Sequence, residues 1–91
     1  MKNRYFIEMT DTFGGEANYC WVNRFIVSAS TPRGAMRRVT ARTGDKVKCV
    51  MQGDPERWDS RTDCVCYFVE RIDDDEQVKE LQDNYSRIEV L

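Results

Sequence analysis

The stretch "STPRGAMRRVTARTG", residues 30 to 44, predicts a helix in the middle of the chain. A hydroxyl of Ser30 or Thr31 can accept a hydrogen bond from an amide of the first helical turn, and Pro32 suits that turn. Gly44 suits the left-handed conformation that often ends a helix. We therefore expect a helix from Pro32 to Thr43.

This helix has an apolar stripe of Ala35, Met36 and Val39, and arginines occupy the rest of its surface. The arginines form two pairs with i,i+4 spacing, Arg33 with Arg37 and Arg38 with Arg42. Each pair repels itself unless a negative group lies nearby. That group is either the protein's own acidic tail or Asp45, or it is a nucleotide, a nucleic-acid backbone or an acidic surface of a partner.

Two strands are predicted before the helix. Residues 4 to 10 alternate apolar and polar side chains, except at Phe6, which breaks the pattern. Residues 18 to 29 are apolar on much of both faces, which is typical of a central strand. "DTFGGE" connects them. Because a strand follows Gly14-Gly15, these glycines favour a tight hairpin turn, whereas a phosphate-binding loop needs a helix after it.

Beyond the helix, the sequence predicts a strand, a loop and a second strand. "DKVKCVMQ", residues 45 to 52, is a strand with Val47, Cys49 and Met51 facing inward. The polar, turn-rich segment of residues 53 to 63 is expected to be a long loop. Residues 64 to 72, "CVCYFVERI", form a buried strand.

The acidic tail has apolar residues at spacings of three and four. One amphipathic helix from about Asp74 to the end is the first interpretation, and a helix ending near Asn84 followed by an edge strand "RIEVL" is the alternative. The apolar residues are Val78, Leu81, Tyr85, Ile88 and Leu91.

Together these elements predict an α+β fold. We expect a small antiparallel sheet of about four strands in β-β-α-β-β order, with the Arg-rich helix packed on it and a C-terminal acidic amphipathic helix. With 91 residues the chain is long enough for one core. Residues 1–72 form the α+β core, and residues 73–91 are a helix or tail of the same domain. A homodimer is expected, since so small a core gains stability from a partner.

Composition argues against catalysis and against a cofactor. The chain contains no histidine, so a nucleophilic cysteine lacks its usual base. Cys64 and Cys66 lie at i and i+2 and, with Cys20 and Cys49, resemble a zinc site only weakly, because ligand pairs normally have two to four intervening residues on a turn and here a single residue intervenes on an apolar strand. We therefore expect free thiols, no metal, no cofactor and no enzymatic activity.

The remaining global features concern location and charge. No apolar stretch is long enough to span a membrane and the N-terminus does not resemble a signal peptide, which predicts a cytoplasmic protein without membrane contact. Residues 1 to 72 carry twelve basic against nine acidic side chains, and residues 73 to 91 carry two against seven. The acidic tail and the pI of 5.1 disfavour duplex DNA as a partner.

Asn23 and Arg24 are unusual in a strand otherwise rich in apolar residues. They either hold the hairpin or line a binding surface with Tyr19 and Trp21, and the structural role is favoured. Both interpretations stay open at this point. The complete set of candidate binding residues is Tyr19, Trp21, Asn23, Arg24, Arg33, Arg37, Arg38 and Arg42.

The segments "TDTFGGEANYCWVNRF", "RGAMRRVTARTG" and "CVCYFVE" resemble a group of small uncharacterised proteins encoded by bacteriophages and prophages. Their shared features are an E-A-N-Y-x-W-V-x-R stretch, an Arg-rich helix and a cysteine-containing aromatic strand. The resemblance covers residues 3 to 72 and leaves the acidic tail outside. It implies a phage origin and action in the cytoplasm of an infected bacterium, and no mechanism.

Two functional hypotheses follow. The first is a non-enzymatic phage accessory protein that binds a host protein, such as a component of a bacterial defence system. The alternative is a module that binds a small anionic ligand such as a nucleotide, or single-stranded nucleic acid, through the Arg-rich helix, with Tyr19, Trp21 and Trp58 stacking on bases.

Overall fold

The computed structural model describes residues 2–11, 21–53, 55–62, 65–72, 74–85 and 87–91. Within these ranges the chain folds into two helices and a six-stranded mixed sheet. In chain order the elements are β1 (Asn3–Asp11), β2 (Trp21–Ala29), α1 (Pro32–Thr43), β3 (Val47–Met51), β4 (Glu56–Ser60), β5 (Val65–Ile72), α2 (Asp75–Asn84) and β6 (Glu89–Val90).

The strands lie in the order β3-β4-β5-β1-β2-β6. Neighbouring strands are antiparallel except for β6, which pairs in parallel with β2. The predicted α+β class is confirmed. The predicted antiparallel sheet of about four strands is wrong, because two further strands form in segments expected to be a loop and a helix.

The first additional strand is β4, which lies in the segment expected to be a long loop. Its single large apolar residue, Trp58, is only 7% exposed, while Arg57 and Asp59 point to the other face and bind each other at 2.9 Å. One apolar side chain in five residues gives no visible alternation. The strand exists because burial of one tryptophan and pairing with β3 and β5 outweigh its polar composition.

Helix α1 has the bounds that the sequence predicts. The Thr31 hydroxyl oxygen accepts a hydrogen bond from the Gly34 amide at 3.0 Å, so Thr31 is the N-terminal cap. At the other end Gly44 adopts a φ of 76° and donates its amide proton to the Thr40 carbonyl. The predicted stripe of Ala35, Met36 and Val39 is buried.

The neighbouring strands β1 and β2 are covered on both faces. Tyr5, Ile7, Phe25 and Val27 face α1, whereas Phe6, Ile26 and Ile72 face α2. Phe6, which breaks the alternation in the sequence, is therefore a core residue of the second face. The antiparallel pairing of β1 with β2 is confirmed, and the predicted Gly14-Gly15 turn lies outside the described residues.

The tail follows the alternative prediction. Helix α2 begins with Asp74, whose carboxylate accepts the Gln77 amide at 2.8 Å, and ends at Asn84. The chain then extends along β2, where the Leu91 amide donates to the Ile26 carbonyl at 2.8 Å. The first interpretation, one helix to the C-terminus, is wrong because β2 provides an open edge that a terminal β-branched segment can pair with.

This ending divides the predicted apolar stripe between two faces of the sheet. Val78, Leu81, Tyr85 and Ile88 pack against Phe6 on the α2 face, whereas Leu91 packs in the core beneath α1.

The inward positions predicted for β3 are only partly confirmed. Val47 and Cys49 pack against the core, but Met51 is 48% exposed. The pairing of β3 with β4 shifts by one residue between Cys49 and Met51. This irregularity turns Met51 away from the core and leaves Val50 45% exposed as well.

Candidate functional site

An open cleft of about 410 Å³ lies between α1 and the hairpin of β3 and β4. Four of its lining residues are cationic, and all four are exposed. The full lining is Arg33, Met36, Arg37, Thr40, Asp45, Lys46, Val47, Trp58 and Arg61. We call this site the basic cleft.

Two separate elements bring the four cations together. Arg33 and Arg37 lie one helical turn apart on α1 and project in the same direction. Lys46 directly precedes β3 and Arg61 directly follows β4, and the Arg61 amide donates to the Lys46 carbonyl at 2.7 Å. This backbone pairing places two cations opposite the helical arginines.

Among the described residues these cations have no ion-pair partner. In the described ranges, side-chain ion pairs within 4.0 Å involve Arg4, Arg24, Arg42 and Arg57, and none involves a cation of the basic cleft. Four positive charges around one cleft repel one another. An anion that enters the cleft relieves this repulsion, which gives the site its affinity for negative charge.

The sequence analysis offers Asp45 as a negative group for the helical arginines, but its carboxylate binds other groups. Its carboxylate accepts hydrogen bonds from the Ser60 hydroxyl at 2.7 Å and the Tyr67 hydroxyl at 3.0 Å. It also accepts the Lys46 backbone amide at 2.9 Å. The carboxylate therefore fixes the connection between α1 and β3 and does not pair with the guanidinium groups.

Trp58 forms the apolar floor of the basic cleft. Its ring nitrogen donates to the Glu56 carboxylate at 2.6 Å, and the Arg33 guanidinium lies 5.5 Å from the ring centre. Because the side chain is buried and Arg33 covers it, Trp58 presents little free ring surface. The hypothesis that Trp58 stacks on bases finds no support in this arrangement.

A second open groove, of about 370 Å³, continues from the basic cleft to the outer side of β3. The two share Arg33, Val47, Trp58 and Arg61, and the groove adds Lys48 and the exposed side chains of Val50 and Met51. We call the basic cleft and this groove together the basic surface. It combines five cations with exposed apolar area.

The other arginine pair of α1 lies apart from the basic cleft. Arg42 pairs with Glu89 of β6 at 2.9 Å, and Arg38 donates to the Ser28 carbonyl at 3.3 Å. For Arg42 the acidic tail supplies the negative group that the sequence predicts, whereas Arg38 bonds to a backbone carbonyl of β2. The two arginine pairs of one helix therefore have different roles.

Asn23 and Arg24 lie away from the basic cleft. The Arg24 guanidinium pairs with Glu8 at 3.3 Å and lies 4.0 Å from the centre of the Tyr85 ring, so it joins β2 to the end of α2. Asn23 is exposed and accepts the Arg24 amide at 2.9 Å. Tyr19 and the side chain of Trp21 lie outside the described part of the chain.

The predicted site is thus divided. The structure places Arg33 and Arg37 in the basic cleft. It adds Lys46 and Arg61 to the same cleft and Lys48 to the adjoining groove, three residues that the sequence interpretation missed. No motif marks these three residues. Only the hairpin pairing of β3 with β4 reveals that they are neighbours, and β4 lies in the segment predicted to be a loop.

A smaller cleft, of about 300 Å³, lies between α2 and the opposite face of the sheet. Its lining includes Glu8, Glu70 and Glu80 together with Arg71. Burial raises the pKa of Glu8, although the hydrogen bond from Arg24 opposes this shift. With three acidic side chains against one arginine, the lining of this cleft disfavours anions.

Among the described cysteines, Cys66 is buried, with its sulfur 3.1 Å from the Thr10 hydroxyl, and Cys49 is half-buried on β3. Cys20 and Cys64 lie outside the described residues. Within the described ranges, no three histidine, cysteine or acidic side chains are grouped closely enough to hold a metal ion. A search of the same ranges finds no helix that is long and apolar enough to cross a membrane.

No known protein family, curated protein or solved structure matches this chain. The chemistry of the site therefore rests on its own residues and their positions.

Proposed function

We propose that this protein is a non-enzymatic accessory protein that binds an acidic region of a partner protein through the basic surface. The observation that carries the proposal is a group of cations that form no ion pair with the described residues, together with exposed Val50 and Met51 on the same open surface. Arginine and methionine are enriched where proteins contact each other, and complementary charge speeds and orients such contacts.

A protein partner fits this surface better than a nucleotide does. Nucleotide-sized ligands are usually enclosed so that most of their surface is buried, and apolar or aromatic walls hold them. Here the cleft is open and Trp58, the aromatic residue that lines it, is buried beneath Arg33. An anion gains charge attraction in the cleft but little enclosure.

Single-stranded nucleic acid is disfavoured for a related reason. Proteins that bind it in a sequence-independent way present exposed aromatic rings on which successive bases stack. The described residues of the basic surface offer arginines and lysines without such a ring. Electrostatic attraction to the backbone alone gives weak binding that disappears with salt.

The resemblance to phage-encoded proteins supports placing this interaction in an infected bacterium. In this proposal the partner is a host protein with an acidic surface, and inhibition of a bacterial defence component is the consequence of binding.

The proposal is tested by affinity capture from bacterial lysate with charge-reversed variants. The double variant Arg37→Glu with Arg61→Glu removes the positive character of the basic cleft. Its matched control, Lys79→Glu with Arg87→Glu, reverses the same number of charges at exposed positions on the acidic tail. We expect the wild type and the control to retain the same host protein, and the cleft variant to lose it.

Two results contradict the proposal. One is equal recovery of host proteins by the cleft variant and the control, which means that the basic surface is not the binding site. The other is tight, salt-dependent binding of nucleotides or single-stranded oligonucleotides by purified protein with no host protein retained, which favours the alternative function.

A further inference from the structure

Strand β3 lies at one end of the sheet, and this edge forms the outer wall of the basic surface. Its inner side pairs with β4 from Val47 to Met51. Among the described residues no strand pairs with its outer side. An open strand edge can receive an extended segment of another chain, because its outward amides and carbonyls are unmatched.

The register identifies which backbone groups point outward. The Arg61 amide bonds to the Lys46 carbonyl, so Lys46 and Arg61 form a hydrogen-bonded pair of the antiparallel ladder. Such pairs alternate along a ladder, and Lys48 opposite Asp59 is the next one. The backbone groups of Val47 and Cys49 therefore point away from β4 and are available to an added strand.

The side chains around this edge determine what can pair with it. Lys48 is exposed on β3, and Arg33 and Arg61 line the same groove. A second copy of β3 brings lysine toward lysine, and charged residues and bulges at sheet edges are known to prevent self-pairing. An acidic strand meets the opposite situation, since the groove along this edge is lined by the cations Lys48, Arg61 and Arg33.

The far end of the edge is apolar. Val50 and Met51 are about half exposed where the pairing with β4 shifts. They offer a contact for one apolar side chain at the end of an added strand. The edge thus has a basic part and an apolar part in a fixed order along β3.

We infer that β3 receives an extended segment of the partner as a seventh strand of the sheet, with acidic side chains near Lys48 and Arg61 and an apolar side chain near Val50 and Met51. This inference rests on the proposed function and adds the form of the bound segment to it. Backbone pairing supplies binding energy, and the charges supply selectivity for acidic segments.

Synthetic peptides test the inference without altering the fold of the protein. The first probe is a blocked peptide of alternating glutamate and valine that ends in leucine. The second has the same side chains but carries N-methyl groups on alternate amides, so it keeps its charge and cannot complete a ladder. The third replaces each glutamate with lysine. Binding is measured by titration calorimetry, and amide shifts and hydrogen exchange are followed by NMR.

We expect the acidic peptide to bind and to protect the amides of Val47 and Cys49 from exchange. The N-methylated peptide should bind at least about tenfold more weakly because it lacks interstrand hydrogen bonds. The lysine peptide should not bind. The variant Lys48→Glu should lose the acidic peptide, whereas Lys79→Glu should keep it.

The outcomes separate this inference from the proposed function. Strand pairing is overturned if the acidic and N-methylated peptides bind with equal affinity, or if the amides of Val47 and Cys49 are not protected from exchange. This holds even when capture from lysate still depends on Arg37 and Arg61, as the proposed function requires. Protection of these two amides in the protein alone, with a concentration-dependent doubling of mass, shows that a second copy occupies the edge and also overturns the inference.

Discussion

The guanidinium carbon of Arg24 lies 4.0 Å from the centre of the Tyr85 ring, and this contact connects the end of α2 to strand β2. The same guanidinium pairs with Glu8, and the same ring stacks on Phe6 with 6.0 Å between ring centres. Helix α2 has no fully buried residue, so its attachment depends on a few such contacts. The first predictions concern this face of the sheet.

Replacing Tyr85 with leucine should lower the free energy of unfolding by about 1 kcal/mol. Leucine keeps apolar volume but loses both the ring contact with Arg24 and the stacking on Phe6. Tyr85→Phe keeps the ring and should stay close to the wild type. Urea denaturation of the three proteins measures the difference, and equal stability of the Leu and Phe variants contradicts an energetic role for the ring.

Leu81→Asp should lower the free energy of unfolding by about 2 kcal/mol or more, because it removes an apolar contact and places a carboxylate near Phe6 and Ile72. Asp83→Ala, on the exposed side of α2, is the control and should be neutral or slightly stabilising, since it removes an acid near the helix C-terminus. Thermal melts and amide exchange in α2 compare the two. If Leu81→Asp melts like the wild type, the packing of Leu81 on this face of the sheet contributes nothing to stability.

The contrast between α1 and α2 shows what the sequence alone can establish. The bounds of α1 are predictable because Thr31, Pro32 and Gly44 act locally on its ends. The tail is ambiguous, since its apolar spacing fits both a long helix and a helix followed by a strand. The tail forms a helix followed by a strand because its last residues pair with the open edge of β2, and that edge exists only in the folded sheet.

The candidate site shows the same division. Arg33 and Arg37 are predictable as a pair because helical spacing fixes their direction. Lys46 and Arg61 are fifteen positions apart in a sequence without a motif, and the pairing of β3 with β4 brings them together. Because β4 has one buried apolar side chain, Trp58, its hydrophobic pattern cannot be distinguished from that of a polar loop.

The raised pKa of Glu8 gives the protein a specific pH dependence. Burial raises this pKa above its ordinary value of 4.5, so the folded protein binds the proton more tightly than the unfolded chain. Between the ordinary and the raised value, the free energy of unfolding therefore falls as the pH rises. The contribution of Glu8 to stability is greatest when the carboxyl is protonated.

Glu8→Gln should accordingly melt at or above the wild-type temperature at neutral pH, and this advantage should vanish below the ordinary carboxyl pKa. Glutamine imitates the protonated form in size and carries no charge to desolvate. Melting curves from about pH 3 to pH 8 provide the measurement, with Asp83→Asn as an exposed control. A variant that is less stable than the wild type only at neutral pH shows that the Arg24 ion pair outweighs burial.

The last prediction concerns the hydrogen bonds that Asp45 accepts next to the basic cleft. The Tyr67 ring is fully buried, and its hydroxyl donates to Asp45 at 3.0 Å. Asp45→Ala leaves this hydroxyl without its carboxylate acceptor and should cost about 1–3 kcal/mol of unfolding free energy. Tyr67→Phe alone should cost about 0.5–1.5 kcal/mol, because Asp45 keeps the Ser60 hydroxyl at 2.7 Å.

The double variant Asp45→Ala with Tyr67→Phe should therefore be more stable than the sum of the single changes predicts, because removing both partners leaves no buried hydroxyl to satisfy. Urea denaturation of the four proteins completes the double-mutant cycle. Asp45→Ala with Thr62→Ala is a comparison cycle, since the Thr62 hydroxyl is exposed and lies 3.5 Å from the same carboxylate. If the coupling energy between Asp45 and Tyr67 is as small as that between Asp45 and Thr62, Asp45 does not position β5 against the α1–β3 connection. The wall of the basic cleft is then fixed by packing alone.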